Sequence, residues 1–217
     1  MVKVFYTNFN TPLSPNKWQT YLDKLPQKIQ QTISRKRRWQ DQHASLFGKL
    51  LLRHALCHTG YPKDSLNRLQ YNKYQRPFID NSIDFNISHT HQYVICAISR
   101  RGQIGIDIES IRPIELSNFR NTMSPKDWTA ITTAPNSSHK FYENWTIKES
   151  VIKADGRGLS IPLEHIQIEP HKARLYNTDW FINQIQIEPN YVCHLVTSWK
   201  NPRIDLEFRS PRFILDG

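Results

Sequence analysis

The sequence predicts an α+β protein in which each half carries helices plus antiparallel strands, with a seam near Arg101. Three observations lead there. Long stretches with helical spacing of apolar residues occur in both halves, around 46–57 and around 141–158. Short strand-like runs bounded by polar turns follow each of them. A tight turn, Arg100-Arg101-Gly102, then separates the strands of the first half from the strand that opens the second.

Taken in order, Val2 to Tyr6 reads as a first strand. Ser14-Pro15 is an N-cap and N1 pair, opening a helix through Trp18, Tyr21, Leu22 and Leu25. Pro26 begins a second helical stretch, interrupted near the basic run Arg35-Lys36-Arg37-Arg38. In the next helix Leu46, Leu50, Arg53, His54 and Cys57 keep helical spacing, and Leu46, Phe47, Leu50 and Leu51 form its core face. Gly60 and Pro62 end it. His43, His54 and His58 on this helix read as surface or satisfied residues, not metal ligands. Strands follow at Leu69 to Tyr71, Ile83 to Ile87 and Tyr93 to Ser99, the last two separated by Ser88 to His91. Ser124-Pro125-Lys126-Asp127 opens a helix with Asp127 at the capping-box position. Beyond the long helix of 141–158, for which Ser138 is the expected cap, strands are expected at Ile166 to Glu169, Trp180 to Ile187, Tyr191 to Ser198 and Ile204 to Phe208.

The chain of 217 residues is long enough for one large domain or two small lobes, and 38% hydrophobic with 12% aromatic residues excludes a disordered tail. A formal net charge of +10 implies an anionic partner: nucleic acid, a phosphorylated cofactor or an acidic protein. Cys57, Cys96 and Cys193 are odd in number and widely spaced, which excludes a disulfide framework and a CxxC zinc site. No apolar run approaches the ~18–20 residues of a membrane span. A soluble cytoplasmic protein with no membrane contact is therefore expected.

Two stretches carry chemistry. In FYENWTIKESVIKADGRG, Trp145, Lys148, Glu149, Ile152 and Lys153 share one side of a helix. By itself such a stripe means little, because a Glu–Lys pair four apart contributes only ~0.2–0.5 kcal/mol to an exposed helix. In IGIDIE, Ile104, Ile106 and Ile108 bury one strand face, so Asp107 and Glu109 share the other. Two such carboxylates repel unless a cation or a shifted pKa compensates, and hard oxygen ligands suit magnesium beside substrate phosphates. Together the two stretches read as a phosphate-handling site.

Read in order, NISHTHQYVICAIS, GIDIE and FYENWTIKESVIKADGRGL resemble the Sfp-type 4′-phosphopantetheinyl transferases. DQHASLFGKLLLR and YQRPFI resemble that family's earlier motifs, so the likeness spans about residues 26 to 163. The resemblance implies two similar lobes in pseudo-twofold relation, each a small antiparallel sheet with helices, divided as 1–101 and 102–217. It implies transfer of the phosphopantetheine arm of coenzyme A to a serine of an apo acyl or peptidyl carrier protein, releasing 3′,5′-ADP. The carrier could serve fatty-acid, polyketide or nonribosomal peptide synthesis. The protein is expected to act as a monomer, without nucleic acid.

On this resemblance Asp107 and Glu109 hold Mg²⁺ (Mn²⁺ as a substitute), with Asp127 as the third acid. Glu149 is the general base and Lys153 stabilises the phosphates. Lys28, Tyr74, Arg76, Ser88, His89 and Lys153 contact coenzyme A, Arg76 being favoured over Lys28 and the run Arg35 to Arg38 for the 3′-phosphate, while Trp145 and Lys148 support the site. Two departures bear on the nucleotide: Ala44 stands where the family commonly has an arginine for the 3′-phosphate, and Gln75-Arg76 replaces Gly-Lys. A rival reading is a magnesium-dependent nuclease or other phosphodiester-cleaving enzyme, since paired acids, a Glu and a Lys also serve phosphodiester hydrolysis. A non-catalytic basic binding module explains the charge but leaves Asp107 and Glu109 without a purpose.

Overall fold

The structure is a computed structural model that describes residues 1–211. The described chain divides into two compact units. The first comprises Met1–Asn72, Pro77–Arg101 and the residues from Arg203 onward; the second comprises Lys73–Arg76 and Gly102–Pro202. A single division between 101 and 102 therefore misses two exchanges: a four-residue excursion at 73–76, and the return of the chain to the first unit after Pro202.

In the first unit the chain forms β1 (Val2–Asn8), α1 (Pro15–Leu22), α2 (Gln27–Ser34), α3 (Trp39–His58), β2 (Gln70–Tyr71), β3 (Pro77–Phe78), β4 (Asp84–Thr90) and β5 (Tyr93–Ser99). The second unit holds β6 (Ile104–Ser110), α4 (Pro125–Thr132), α5 (Ser137–Asp155), β7 (Ile166–Ile168), β8 (Lys172–Leu175), β9 (Thr178–Gln184) and β10 (Tyr191–Thr197). The last strand, β11 (Ile204–Phe208), lies beside β1 in the first sheet.

That sheet has the order β11-β1-β5-β4, and its β1–β11 pair is parallel, with Val2 opposite Ile204. It is thus mixed rather than purely antiparallel. The parallel pair arises because β11 comes from the far end of the chain and needs no tight connection to β1. The second sheet runs β6-β10-β9-β8-β7 and is antiparallel throughout.

Helix α3 supplies Leu46, Phe47, Leu50 and Leu51, all fully buried, to a core closed by Phe5, Phe85, Val94 and Ile98. Burial of side chains of this size contributes ~1.5–3 kcal/mol each. Strands β1 and β4 run beyond the expected ones, β5 and β11 match them, and β2, β7 and β10 are one residue shorter. Strand β9 begins two residues and ends three residues earlier than expected. Ser88 to Thr90 continue β4, and the reversal falls at His91, whose φ of 45° is left-handed. Strand β8 was not expected, because Lys172-Ala-Arg-Leu175 is short and charged. Two caps also differ. Ser14 makes no side-chain capping bond. The cap of α5 is Asn136, whose Oδ1 accepts from the His139 amide at 2.9 Å, in place of Ser138.

The histidines of α3 follow two courses. His43 is satisfied: its Nε2 accepts from the Leu13 amide at 2.9 Å and its Nδ1 lies 2.8 Å from the Trp39 carbonyl oxygen. His54 is buried edge-on against Phe5, and neither ring nitrogen has a hydrogen-bond partner among the described residues. Burial, followed by the neighbouring His58, lowers its pKa to about 4. A base whose folded pKa is depressed stabilises the fold above its unfolded pKa and loses that contribution as pH falls. Between pH 7.5 and 5.0, His54→Leu should therefore lose about 2 kcal/mol less stability than the native chain in urea unfolding. An unchanged pH dependence would show that His54 is protonated at pH 5 without cost. Replacing the unsatisfied imidazole by an apolar group should also leave stability at pH 7.5 unimpaired.

Candidate active site

Strand β6 is buried on both faces: Ile104, Ile106 and Ile108 on one, Gly105 and Asp107 on the other. Helix α5 covers the face that carries Gly105 and Asp107. A Cβ at position 105 would fall 2.6 Å from the Ala154 nitrogen and against the Ser150 carbonyl oxygen. Only glycine permits this approach, and the approach sets the C-terminal half of α5 directly over Asp107. Ser150 anchors the helix to the neighbouring strand by donating to the His194 carbonyl oxygen at 2.8 Å.

Lys153 Nζ reaches down from α5 to Asp107 Oδ1 at 2.6 Å and also donates to the Ile106 carbonyl oxygen at 3.4 Å. Asp107 is buried. Glu149, one turn back on α5, is half-buried, and its carboxyl is pushed up to about 7. Burial is the larger cause, the charge of Asp107 adds to it, Lys153 opposes it and Glu109 contributes further. Two expected metal ligands, the expected base and the expected phosphate-binding lysine thus act on one another electrostatically.

Asp127 has different company. It caps α4 with Ser124: the Asp127 amide donates to Ser124 Oγ at 3.1 Å, and Ser124 Oγ donates to Asp127 Oδ2 at 2.7 Å. The same Oδ2 lies 2.9 Å from Lys148 Nζ. That ammonium is fully buried, and it also donates to the carbonyl oxygens of Leu163 at 2.8 Å and Ile166 at 2.9 Å. Three acceptors for three N–H bonds leave no donor over. Burial lowers the Lys148 pKa, and Asp127 opposes the shift. Asp127, expected as a third acid at the metal, is the counter-ion of Lys148 in this structure. Trp145 packs against Phe141, with centroids 5.7 Å apart, and edge-on to Phe119.

The remaining expected contacts divide between the units. In the second, the Tyr74 ring is half-exposed with Lys73 Nζ 5.0 Å above it. Gln75 adopts a φ of 66°, the backbone for which a glycine is the ordinary choice. Arg76 donates to the Ile104 carbonyl oxygen at 3.1 Å and lies across Gly156, the left-handed C-cap of α5, where a Cβ would meet its Cδ at 2.8 Å. A guanidinium at a helix C-terminus also complements the helix dipole. In the first unit Lys28 is exposed on α2, His89 is exposed on β4 and Ser88 beside it is buried. Ala44 lies in the hydrophobic core of that unit.

Sequence reasoning passed over Lys49. It is half-buried on α3, one turn from Ser45, and has no acidic partner among the described residues. Burial lowers its pKa, and Lys36 lowers it further. The available signal was a lysine amid the apolar positions of a core helix.

Two family models cover most of the chain: "4'-phosphopantetheinyl transferase superfamily" over residues 103–205, and "4'-phosphopantetheinyl transferase, N-terminal" over residues 11–101. The 4'-phosphopantetheinyl transferase gsp of Aneurinibacillus migulanus is 30% identical over 80% of this chain and 74% of its own length. The chain belongs to the 4′-phosphopantetheinyl transferase superfamily. Sfp of Bacillus subtilis (strain 168) is 27% identical over 88% of this chain and 89% of its own. The L-aminoadipate-semialdehyde dehydrogenase-phosphopantetheinyl transferase of Rattus norvegicus is 25% identical over 72% and 56%. The nuclease alternative finds no support among these relatives, and no helix of the described transferase is long and apolar enough to cross a membrane.

Proposed function

We propose that this transferase moves the 4′-phosphopantetheine arm of coenzyme A to a serine of an apo acyl or peptidyl carrier protein, with release of 3′,5′-ADP. The observation that carries the reading is Glu149, a carboxyl held near neutrality beside Asp107 and Lys153. The serine oxygen attacks the β-phosphorus, and the bond from that phosphorus to the bridging oxygen breaks. The electron pair leaves on 3′,5′-ADP and the serine proton passes to Glu149. A base with a pKa near the working pH is suited to this step. Lys153, on the same face of α5, offers its charge to the pyrophosphate oxygens, and positioning with charge neutralisation is what phosphoryl transfer asks of a protein.

Asp107 and Glu109 are hard oxygen donors of the kind that hold Mg²⁺ or Mn²⁺. Among the described residues no three acids, histidines or cysteines stand together as a ready metal cluster. The donor chemistry nevertheless fits, because Asp107 already takes a cation, Lys153 Nζ, at 2.6 Å. A bound divalent ion would neutralise pyrophosphate charge. Asp127 we assign to positioning, because its partner Lys148 is fully buried and held by the carbonyl oxygens of Leu163 and Ile166 as well, whereas Lys153 is partly exposed.

For the nucleotide, Lys28, Tyr74, Ser88 and His89 remain our contacts for coenzyme A. The 3′-phosphate we place on Lys49 with Lys36, two cations that disfavour each other until an anion lies between them. Arg76 we assign to the diphosphate and to holding the end of α5. Lys49→Ala should then lower the preference for coenzyme A over its dephospho form by about tenfold, the scale of one charged hydrogen bond. Arg76→Ala should weaken both donors alike. The reverse pattern in KM for the two donors would transfer the 3′-phosphate to Arg76.

The reading as a whole is tested by chromatography of the nucleotide product. 3′,5′-ADP should form from coenzyme A and Mg²⁺ only when an apo carrier is present. Release without carrier, or cleavage of a plasmid under the same conditions, would favour phosphodiester hydrolysis.

A further inference from the structure

A polar cavity of about 580 Å³ opens beside the N-terminal half of α5. His194 and Asn144 line it although each is only 5% exposed. His194 Nδ1 lies 2.8 Å from Thr146 Oγ1, and that hydroxyl is also 2.8 Å from the Tyr142 carbonyl oxygen. A hydroxyl has one proton, and a carbonyl oxygen can only accept it. Thr146 must therefore donate to Tyr142 and accept from His194 Nδ1–H. This fixes the neutral tautomer and leaves a lone pair on Nε2, which has no hydrogen-bond partner among the described residues.

Asn144 repeats the pattern. Its Nδ2 donates to the Lys140 carbonyl oxygen at 2.9 Å, so its Oδ1 is an acceptor. The two acidic groups of the lining are each matched by a lysine, Glu143 by Lys140 at 3.0 Å and Glu169 by Lys172 at 3.5 Å. Lys126, exposed at the edge, has no acidic partner among the described residues. Ile147, Ile168 and Ile182 supply apolar wall.

Two acceptors on nearly buried side chains and an ammonium at the rim thus open on one cavity, and they complement a ligand that brings a donor and an anion. We infer that this cavity binds a small amphiphilic acid carrying a hydroxyl or N–H donor: the donor meets His194 Nε2, the carboxylate meets Lys126, and the hydrocarbon lies on the isoleucines. Neither Asp107 nor Lys153 lines it, although His194 stands opposite Asp107 in the β10–β6 pairing, and the inference does not depend on the transferase reading.

The probes are 3-hydroxyoctanoate, its 3-methoxy ether and octanoate, titrated calorimetrically into the full chain at 0.15 M salt. The hydroxy acid should bind about tenfold more tightly than the other two, the value of one neutral hydrogen bond to a buried acceptor. His194→Phe should erase that difference. Lys126→Gln, a surface change that leaves the fold undisturbed, should weaken all three acids alike. The ¹⁵N resonance of Nε2 should shift with the hydroxy acid and not with the ether. Equal affinity for the three probes, or a Nε2 resonance that ignores the hydroxy acid, would overturn the inference.

Discussion

Glu149→Gln should lower turnover by ~10²–10⁴ while coenzyme A still binds, because the amide keeps the shape of the side chain and loses the proton acceptance. The same carboxyl has a cost to the fold. Its folded pKa of about 7 lies above the ordinary carboxylate value. A group raised in this way stabilises the fold at pH below its unfolded pKa and loses that contribution as pH rises through 7. In the metal-free protein at pH 8, Glu149→Gln should therefore be more stable than the native chain by ~1–2 kcal/mol, discounted for its partial exposure. In the native enzyme kcat/KM should fall tenfold per pH unit on the acid side, and in the variant that limb should vanish. A variant with near-native kcat would assign the proton to another group.

Lys148→Ala should be the most damaging single change to the fold of the second unit. It leaves Asp127 and the carbonyl oxygens of Leu163 and Ile166 buried without their shared donor. Removing one partner of a buried ion pair costs ~3–5 kcal/mol, whereas replacing both by apolar groups is often neutral. The double variant Lys148→Met, Asp127→Leu should accordingly recover, in urea unfolding, the part of the loss due to the stranded Asp127 charge, while the two carbonyl oxygens stay without a donor. If Asp127 were needed at the metal, the recovered fold would still have no activity. Our assignment expects a loss of about tenfold or less, because Glu149 and Lys153 are carried by the same helix as before. Equal stability of the single and double variants would contradict the buried-pair account.

Much of this site was legible in the sequence because its parts are local. The alternation of Ile104, Ile106 and Ile108 gave the strand, and the helical spacing gave Glu149 and Lys153 a common face. What periodicity could not supply was which side of β6 faced α5. That depended on Gly105, whose importance appears only once Ala154 and Ser150 are packed on it. Asp127 was legible as a cap, and its ion pair was not, since Lys148 comes from another helix 21 positions along the chain. The parallel pairing of β11 with β1 and the 73–76 excursion are tertiary choices to which local sequence patterns are blind. His194 reads as one more residue of an apolar strand until Thr146 is placed beside it.

The central claim is that this chain loads a carrier serine, and intact-mass spectrometry tests it most directly. An apo carrier incubated with the enzyme, coenzyme A and Mg²⁺ should gain the mass of one phosphopantetheine, and the same carrier with its acceptor serine changed to alanine should gain nothing. A native carrier left at its apo mass across fatty-acid, polyketide and peptide-synthetase types, while the enzyme remains folded, would contradict the account.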